Sequence, residues 1–190
     1  LRNTIMEGLV INRTKEWTAS DYQLLGESAT PCQLIDGELF KSPAPTPEHQ
    51  RVVRRLFKVL DSFAASTGEV FFSPIDLYVD DRNVFQPDLI YIAKSNASAV
   101  TKKGVEKAPD LIVEIISPSN SYVDRYTKKK AYLKMGVKEY WIVDPANQTL
   151  EVFSEALGSV DKPSLFLSQN GIVSSRVIPQ LKFNLKDIWS

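Results

Sequence analysis

Two carboxylates stand alone in apolar surroundings. Glu114 lies in the middle of Asp110-Leu-Ile-Val-Glu-Ile-Ile116, and Asp88 opens Asp88-Leu-Ile-Tyr-Ile92. A run as apolar as the first reads as a strand covered on both faces. An ionised carboxylate there is costly unless something compensates it. A structural salt bridge would do so, and so would a divalent cation. If both strands join one sheet, the two acids converge at its edge. Paired oxygen ligands with open positions for water suit Mg²⁺ or Mn²⁺. With one histidine and one cysteine in the chain, there is no His/Cys cluster to hold zinc.

A cation is also expected to turn inward. On a helical wheel, Lys128 projects within about 60° of Asp124, Ala131, Tyr132 and Met135, whereas Lys130 and Lys134 point away. A lysine on an inward face needs an anionic partner, which Asp88, Glu114 or a bound phosphate would provide. The alternative is that Lys128 snorkels past Tyr132 to the surface. His49 falls in the first turn of an amphipathic helix, on the apolar side with Val52 and Leu56. There a packed core histidine is the usual case. Arg51, Arg54, Arg55 and Lys58 form a narrow stripe on the opposite side. Such a stripe either tracks a DNA backbone or is a plain solvated face. Lys102, Lys103 and Lys107 read as a loop that also reaches phosphate.

These residues need elements to hold them. Thr18-Ala-Ser-Asp21 has the form of a helix start, with a short helix to about Leu25. Residues 33–40 read as a hairpin turning at Asp36-Gly37. The proline-rich Ser42–Pro47 is a rigid loop, and a long helix follows from Glu48 to Ser66. Strands are expected at Glu69–Phe72, Ile75–Val79, Val84–Ile92 and Asp110–Ile116. A second helix runs from Tyr122 to Met135. Strands at Glu139–Val143 and Thr149–Phe153 come next, then two short strands and a last turn near Lys186–Trp189. The order implies an α/β fold in which a central mixed sheet is flanked by helices. Residues 1–16 read as a loose arm and 17–190 as a single domain.

The bulk properties set limits on function. The 190 residues are 43% apolar and 24% charged, an ordinary globular balance. The net charge of zero argues against coating nucleic acid through bulk charge. No apolar run approaches the length of a membrane span, and residues 1–15 lack the pattern of a signal peptide. The single cysteine, Cys32, cannot form an internal disulfide and reads as a small filler beside Pro31. A cytoplasmic location is the expectation.

Pro87-Asp88 followed by Glu114 resembles the PD-(D/E)xK signature of restriction-type nucleases. The text around it carries more. From Tyr22 to Phe153 the chain is similar to the Uma-type endonucleases, a bacterial group long grouped as a domain of unknown function. The matching pieces are Leu34-Ile-Asp-Gly-Glu-Leu39, Ser42-Pro43, Pro47-Glu-His-Gln50, Gln86-Pro-Asp-Leu89, Ala108-Pro-Asp-Leu-Ile-Val-Glu114 and Ser117-Pro-Ser119. Asp124-Arg125 with Lys128 and Tyr132, and Gly136-Val-Lys-Glu-Tyr-Trp141, complete the set.

The resemblance implies a restriction-endonuclease-like fold and hydrolysis of phosphodiester bonds in DNA with Mg²⁺ or Mn²⁺. Asp88, Glu114 and the Ile115 carbonyl would bind the metal. Glu38 resembles an additional acidic residue of such sites, the alternative being a solvated hairpin glutamate. His49 acquires a site role from the Pro-x-His-Gln match. One departure matters. The motif lysine belongs at position 116, where this chain has Ile116, and Lys128 on the next helix matches the relocated position. A homodimer is expected by analogy with enzymes that cut both strands. A DNA-binding or interaction protein that no longer cuts is one alternative. Hydrolysis of a smaller phosphate ester is another. It requires a closed pocket in place of an open cleft.

Overall fold

The computed structural model describes residues 9–10, 15–26, 31–41, 43–117, 121–154 and 162–189. Strand β1 (Leu9–Val10) precedes helix α1 (Ala19–Gln23). Thr18 caps α1 by the reciprocal device its sequence predicts. Its hydroxyl accepts the Asp21 amide, and the Asp21 carboxylate accepts the Thr18 amide. Strands β2 (Cys32–Ile35) and β3 (Glu38–Lys41) form the expected hairpin. Asp36 and Gly37 both take positive φ, 50° and 79°, as a two-residue turn between twisted strands requires.

Helix α2 (Pro47–Ala64) begins with Pro47 in the first turn and Thr46 accepting the His49 amide. Val52, Leu56, Leu60 and Ala64 are its buried stripe. Strands β4 (Gly68–Phe72), β5 (Leu77–Asp80), β6 (Asn83–Phe85), β7 (Leu89–Ala93) and β8 (Leu111–Ile115) follow. A π-helical segment, Val123–Lys128, leads into α3 (Lys129–Met135), which ends at Gly136 with φ 96°. Then come β9 (Glu139–Asp144), β10 (Thr149–Ser154), β11 (Leu165–Ser168), β12 (Ile172–Ser174) and β13 (Lys182–Asn184). A 3₁₀ turn at Leu185–Ile188 closes the described chain.

The large sheet runs β11-β10-β9-β8-β7-β4. It is mixed: β8 and β9 pair in parallel and the other neighbours are antiparallel. That parallel pair requires a crossover, which the segment carrying α3 supplies. Along β7 and β8 alternate side chains face opposite sides. Leu89 and Val113 pack with Val52, Leu56 and Leu60 of α2, whereas Ile90 and Ile112 pack with Tyr132 of α3. Both faces of the sheet are therefore covered, which is why these strands are apolar apart from Glu114.

Three expectations need correction. Val84–Ile92 is two strands rather than one. β6 joins a second sheet of order β1-β3-β2-β6-β5, and β7 joins the large one. Pro87 has no amide hydrogen for a ladder, and the Gln86 amide is taken by the Gln33 side chain. The chain can therefore leave one sheet at Gln86 and enter the other at Leu89. Within the expected arm, Leu9–Val10 pairs with Phe40 and Lys41, while residues 1–8 and 11–14 lie outside the described residues. The tail forms three strands rather than two. Ser42, Pro118 and Ser119 of the family-like segments also lie outside the described residues. Among the described residues no helix is long and apolar enough to cross a membrane.

Candidate active site

Asp88 stands where the chain passes from one sheet to the other. The β7–β8 register pairs Leu89 with Val113, and one further step sets Asp88 opposite Glu114. By the alternation along a strand, both then share the face of Ile90 and Ile112. Asp88 Oδ2 accepts the Ile115 amide at 2.8 Å, so a side chain closes the end of this ladder.

His49 reaches the same point from the first turn of α2. Its Nε2 lies 3.2 Å from Asp88 Oδ2 and 3.1 Å from the Ile115 carbonyl oxygen. A carboxylate oxygen, a carbonyl oxygen and a ring nitrogen thus converge, and all three can present lone pairs. Either a proton on Nε2 shared by the two oxygens or a small cation makes this arrangement attractive. Burial alone would lower the His49 pKa. The hydrogen bond and charge of Asp88, with the Ile115 carbonyl, outweigh it and raise the pKa above its ordinary value.

The second half of the site is buried. Glu114 Oε1 accepts from Lys128 Nζ at 3.0 Å and from the Tyr132 hydroxyl at 2.7 Å. Lys128 Nζ is also 3.1 Å from Asp124 Oδ1. Glu114, Asp124 and Lys128 are each only 3–4% exposed. The π-helical segment turns Val123, Asp124 and Lys128 inward together, and Tyr140 donates to the Asp124 carbonyl oxygen at 3.0 Å.

Two acids and one lysine leave this buried group with an excess negative charge. Burial pushes the Glu114 pKa up to about 8, against the pull of Lys128 and with the charges of Asp124 and Asp88 adding to the rise. Burial likewise raises Asp124. Burial would depress Lys128, but Asp124 and Glu114 hold its pKa above the usual lysine value. The excess charge is neutralised by a proton or by a metal ion. The donor set fits Mg²⁺ or Mn²⁺: carboxylate oxygens, one backbone carbonyl and an imidazole, with no thiolate. Among the described residues no three His, Cys, Asp or Glu side chains converge. The set therefore depends on the Ile115 carbonyl.

A proton and a metal ion would compete for Glu114, which gives a pH dependence with a definite sign. Metal binding needs the ionised form and releases the proton. Mn²⁺ affinity should therefore rise as pH increases through the region of 8, where Glu114 loses its proton. Calorimetric titration at several pH values tests this. An affinity that is flat across that region excludes Glu114 as a ligand with a raised pKa.

The structure thus brings Asp88, His49 and Ile115 together and sets Lys128 on Glu114. It does not bring Glu38 to them. Glu38 is exposed at the turn end of β3, opposite Ile35, and the strand paired with β2 runs away from that end before reaching Asp88. Arg51, Arg54 and Lys58 are exposed on α2, but Arg55 is half-buried and donates to the Ile188 carbonyl oxygen at 3.1 Å. Two members of the buried group, Asp124 and Tyr132, are not marked as site residues by the sequence. The four-residue spacing of Asp124 and Lys128 is the available signal for the first.

A family profile described as "Putative restriction endonuclease", Uma2, matches residues 19–186. The chain belongs to this family. The Uma2 match takes in α2, both acids and α3. A Synechocystis protein, "Uncharacterized protein sll1609", is 26% identical over 140 residues, covering 72% of this chain and 79% of its own. The crystal structure of a protein described as a putative nuclease of DUF820, from Anabaena variabilis, superposes with a TM-score of 0.73 at 20% identity. It covers 90% of this chain and 97% of that one. At that identity the likeness speaks for the fold, which is the restriction-endonuclease-like α/β architecture that the sequence resemblance implies.

Proposed function

We propose that this Uma2 chain is a metal-dependent endonuclease that hydrolyses phosphodiester bonds in DNA. The observation that carries the reading is the buried Lys128 ammonium on Glu114, beside the point where Asp88, His49 and the Ile115 carbonyl converge. Asp88, Glu114 and the Ile115 carbonyl would hold Mg²⁺ or Mn²⁺. Such an ion, when bound, polarises the phosphate and lowers the pKa of an attacking water. Lys128 orients that water or stabilises the negative charge growing on phosphorus. His49 fixes the Asp88 carboxylate from one side while the Ile115 amide fixes it from the other. Incubation of supercoiled plasmid with Mg²⁺ or Mn²⁺, beside an EDTA control, tests the reading. DNA binding without metal-dependent nicking would identify a protein that no longer cuts. Cutting both strands of a duplex with one site per chain calls for a homodimer.

The exposed α2 stripe is the proposed contact with duplex backbone. Arg55 is committed to Ile188, so the reversal to test is Arg51→Glu with Arg54→Glu. Duplex affinity should fall for every sequence. The salt dependence should flatten by about 0.9 in log–log slope for each phosphate that is no longer neutralised. An unchanged affinity at low salt rules the stripe out as a DNA surface.

A further inference from the structure

The site helix has a second face. Along the π-helical segment and α3, Tyr122, Tyr126, Lys130 and Lys134 recur every four residues, and all are exposed. Tyr122 and Tyr126 are 49% and 59% exposed, with ring centroids 4.8 Å apart and an interplanar angle of 33°. Between them in sequence lies Asp124, and two residues beyond Tyr126 lies Lys128, both facing inward. The aromatic pair therefore stands on the outer side of the same turns that supply the site's buried charges.

The neighbouring cations are already engaged. Arg125 binds Asp144 and Glu151, and Lys129 Nζ lies 4.4 Å above the Phe153 ring. Lys130 and Lys134 have no acidic partner among the described residues. A row with two open aromatic rings at one end and two unpaired ammonium groups at the other matches one chemistry closely. Rings stack on nucleobases, and ammonium groups meet phosphates. In a duplex the base faces are covered by one another, so a protein ring stacks on an unpaired base without the unstacking that a paired step would cost. The α2 stripe on the other face of the large sheet has exposed Arg51, Arg54 and Lys58 but no aromatic among them, as suits duplex backbone.

We propose that Tyr122, Tyr126, Lys130 and Lys134 form a track for single-stranded DNA on the outer face of the helical segment that supplies Lys128 to the site. This rests on the nuclease reading and gives it a substrate class: DNA with an unpaired stretch next to the scissile bond. The row covers 13 residues, about 18 Å if all of it had the α-helical rise.

Binding is read without cleavage, by fluorescence anisotropy in EDTA. The probes are a labelled oligothymidylate of about 12 nucleotides, within the site sizes of such surfaces, and a duplex of equal length. Tyr122→Ala and Tyr126→Ala should each weaken single-strand binding about tenfold and leave duplex binding unchanged. Tyr126→Phe, which keeps the ring, should bind like the parent. Lys130→Gln and Lys134→Gln should each lower the single-strand salt slope by about 0.7. Equal single-strand affinity in the alanine variants overturns the track, as does a loss in Tyr126→Phe as large as in Tyr126→Ala. A parent chain that nicks plasmid yet binds no oligothymidylate overturns the track alone. A chain that neither nicks nor binds DNA overturns both readings.

Discussion

Glu114→Ala should abolish metal-dependent nicking of plasmid while leaving a folded protein. The acid lies on the strand that anchors the site, opposite Asp88 and one register step beyond the Leu89–Val113 pair. The stability argument follows from the charges of the buried group. Glu114 and Asp124 share one cation, Lys128. Removing Glu114 leaves a balanced Asp124–Lys128 pair, so above the raised Glu114 pKa, where the acid is ionised, an uncompensated buried charge disappears. Melting in EDTA should be unchanged or slightly raised, and Glu114→Gln, which keeps the volume, should show the same loss of nicking. Nicking that survives in both variants would remove Glu114 from the site. A collapse of stability in both would show that its role is structural.

Lys128→Met separates the cation from the metal ligands. The methionine keeps the apolar stem and deletes the charge, so Mn²⁺ binding should persist. The chemical step should slow by about 10²–10³-fold, the usual loss when one transition-state donor is removed. Stability moves the other way from Glu114→Ala, because two buried acids lose the cation they share. Breaking such a pair costs about 3–5 kcal/mol, and Tm should fall by about 10 °C. Rates are therefore to be measured well below the melting transition. Lys129→Met is the control: its ammonium lies over Phe153 rather than on the acids. A Lys128→Met variant that cleaves at the parent rate would end the relocated-lysine mechanism.

The contrast between these variants shows what the sequence could and could not disclose. The inward turn of Lys128 was legible from a wheel at the α-helical angle, although Val123–Lys128 is π-helical, and its neighbours Tyr132 and Asp124 are indeed buried. Helix α2 was legible for the same reason, and the first hairpin because Asp36-Gly37 has few alternatives to a tight turn. The second sheet was not. An alternating or apolar run tells that a strand exists, but not which sheet it joins, so Val84–Ile92 read as one strand. The interruption was marked only by Pro87. The partnership of His49 with Asp88 joins positions 39 residues apart in the chain, and no local pattern carries that. Glu38 is the opposite case. Its place beside a well-formed turn was clear, but the direction in which the hairpin points is a tertiary fact.

Ile116 has a wider consequence. It is buried in the apolar cluster with Ile112 and Tyr132, on the side of the strand that Glu114 shares by alternation. Had the cation stood at 116, its distance from the acid would have been dictated by the pleat, two residues along one face. With Lys128 on a helix, that distance is a docking parameter. It depends on how α3 seats against the sheet, through the edge-on contacts of Tyr132 with Phe85 and Tyr140. Substitutions in that aromatic seat can retune the spacing between acid and cation while both charged residues stay as they are.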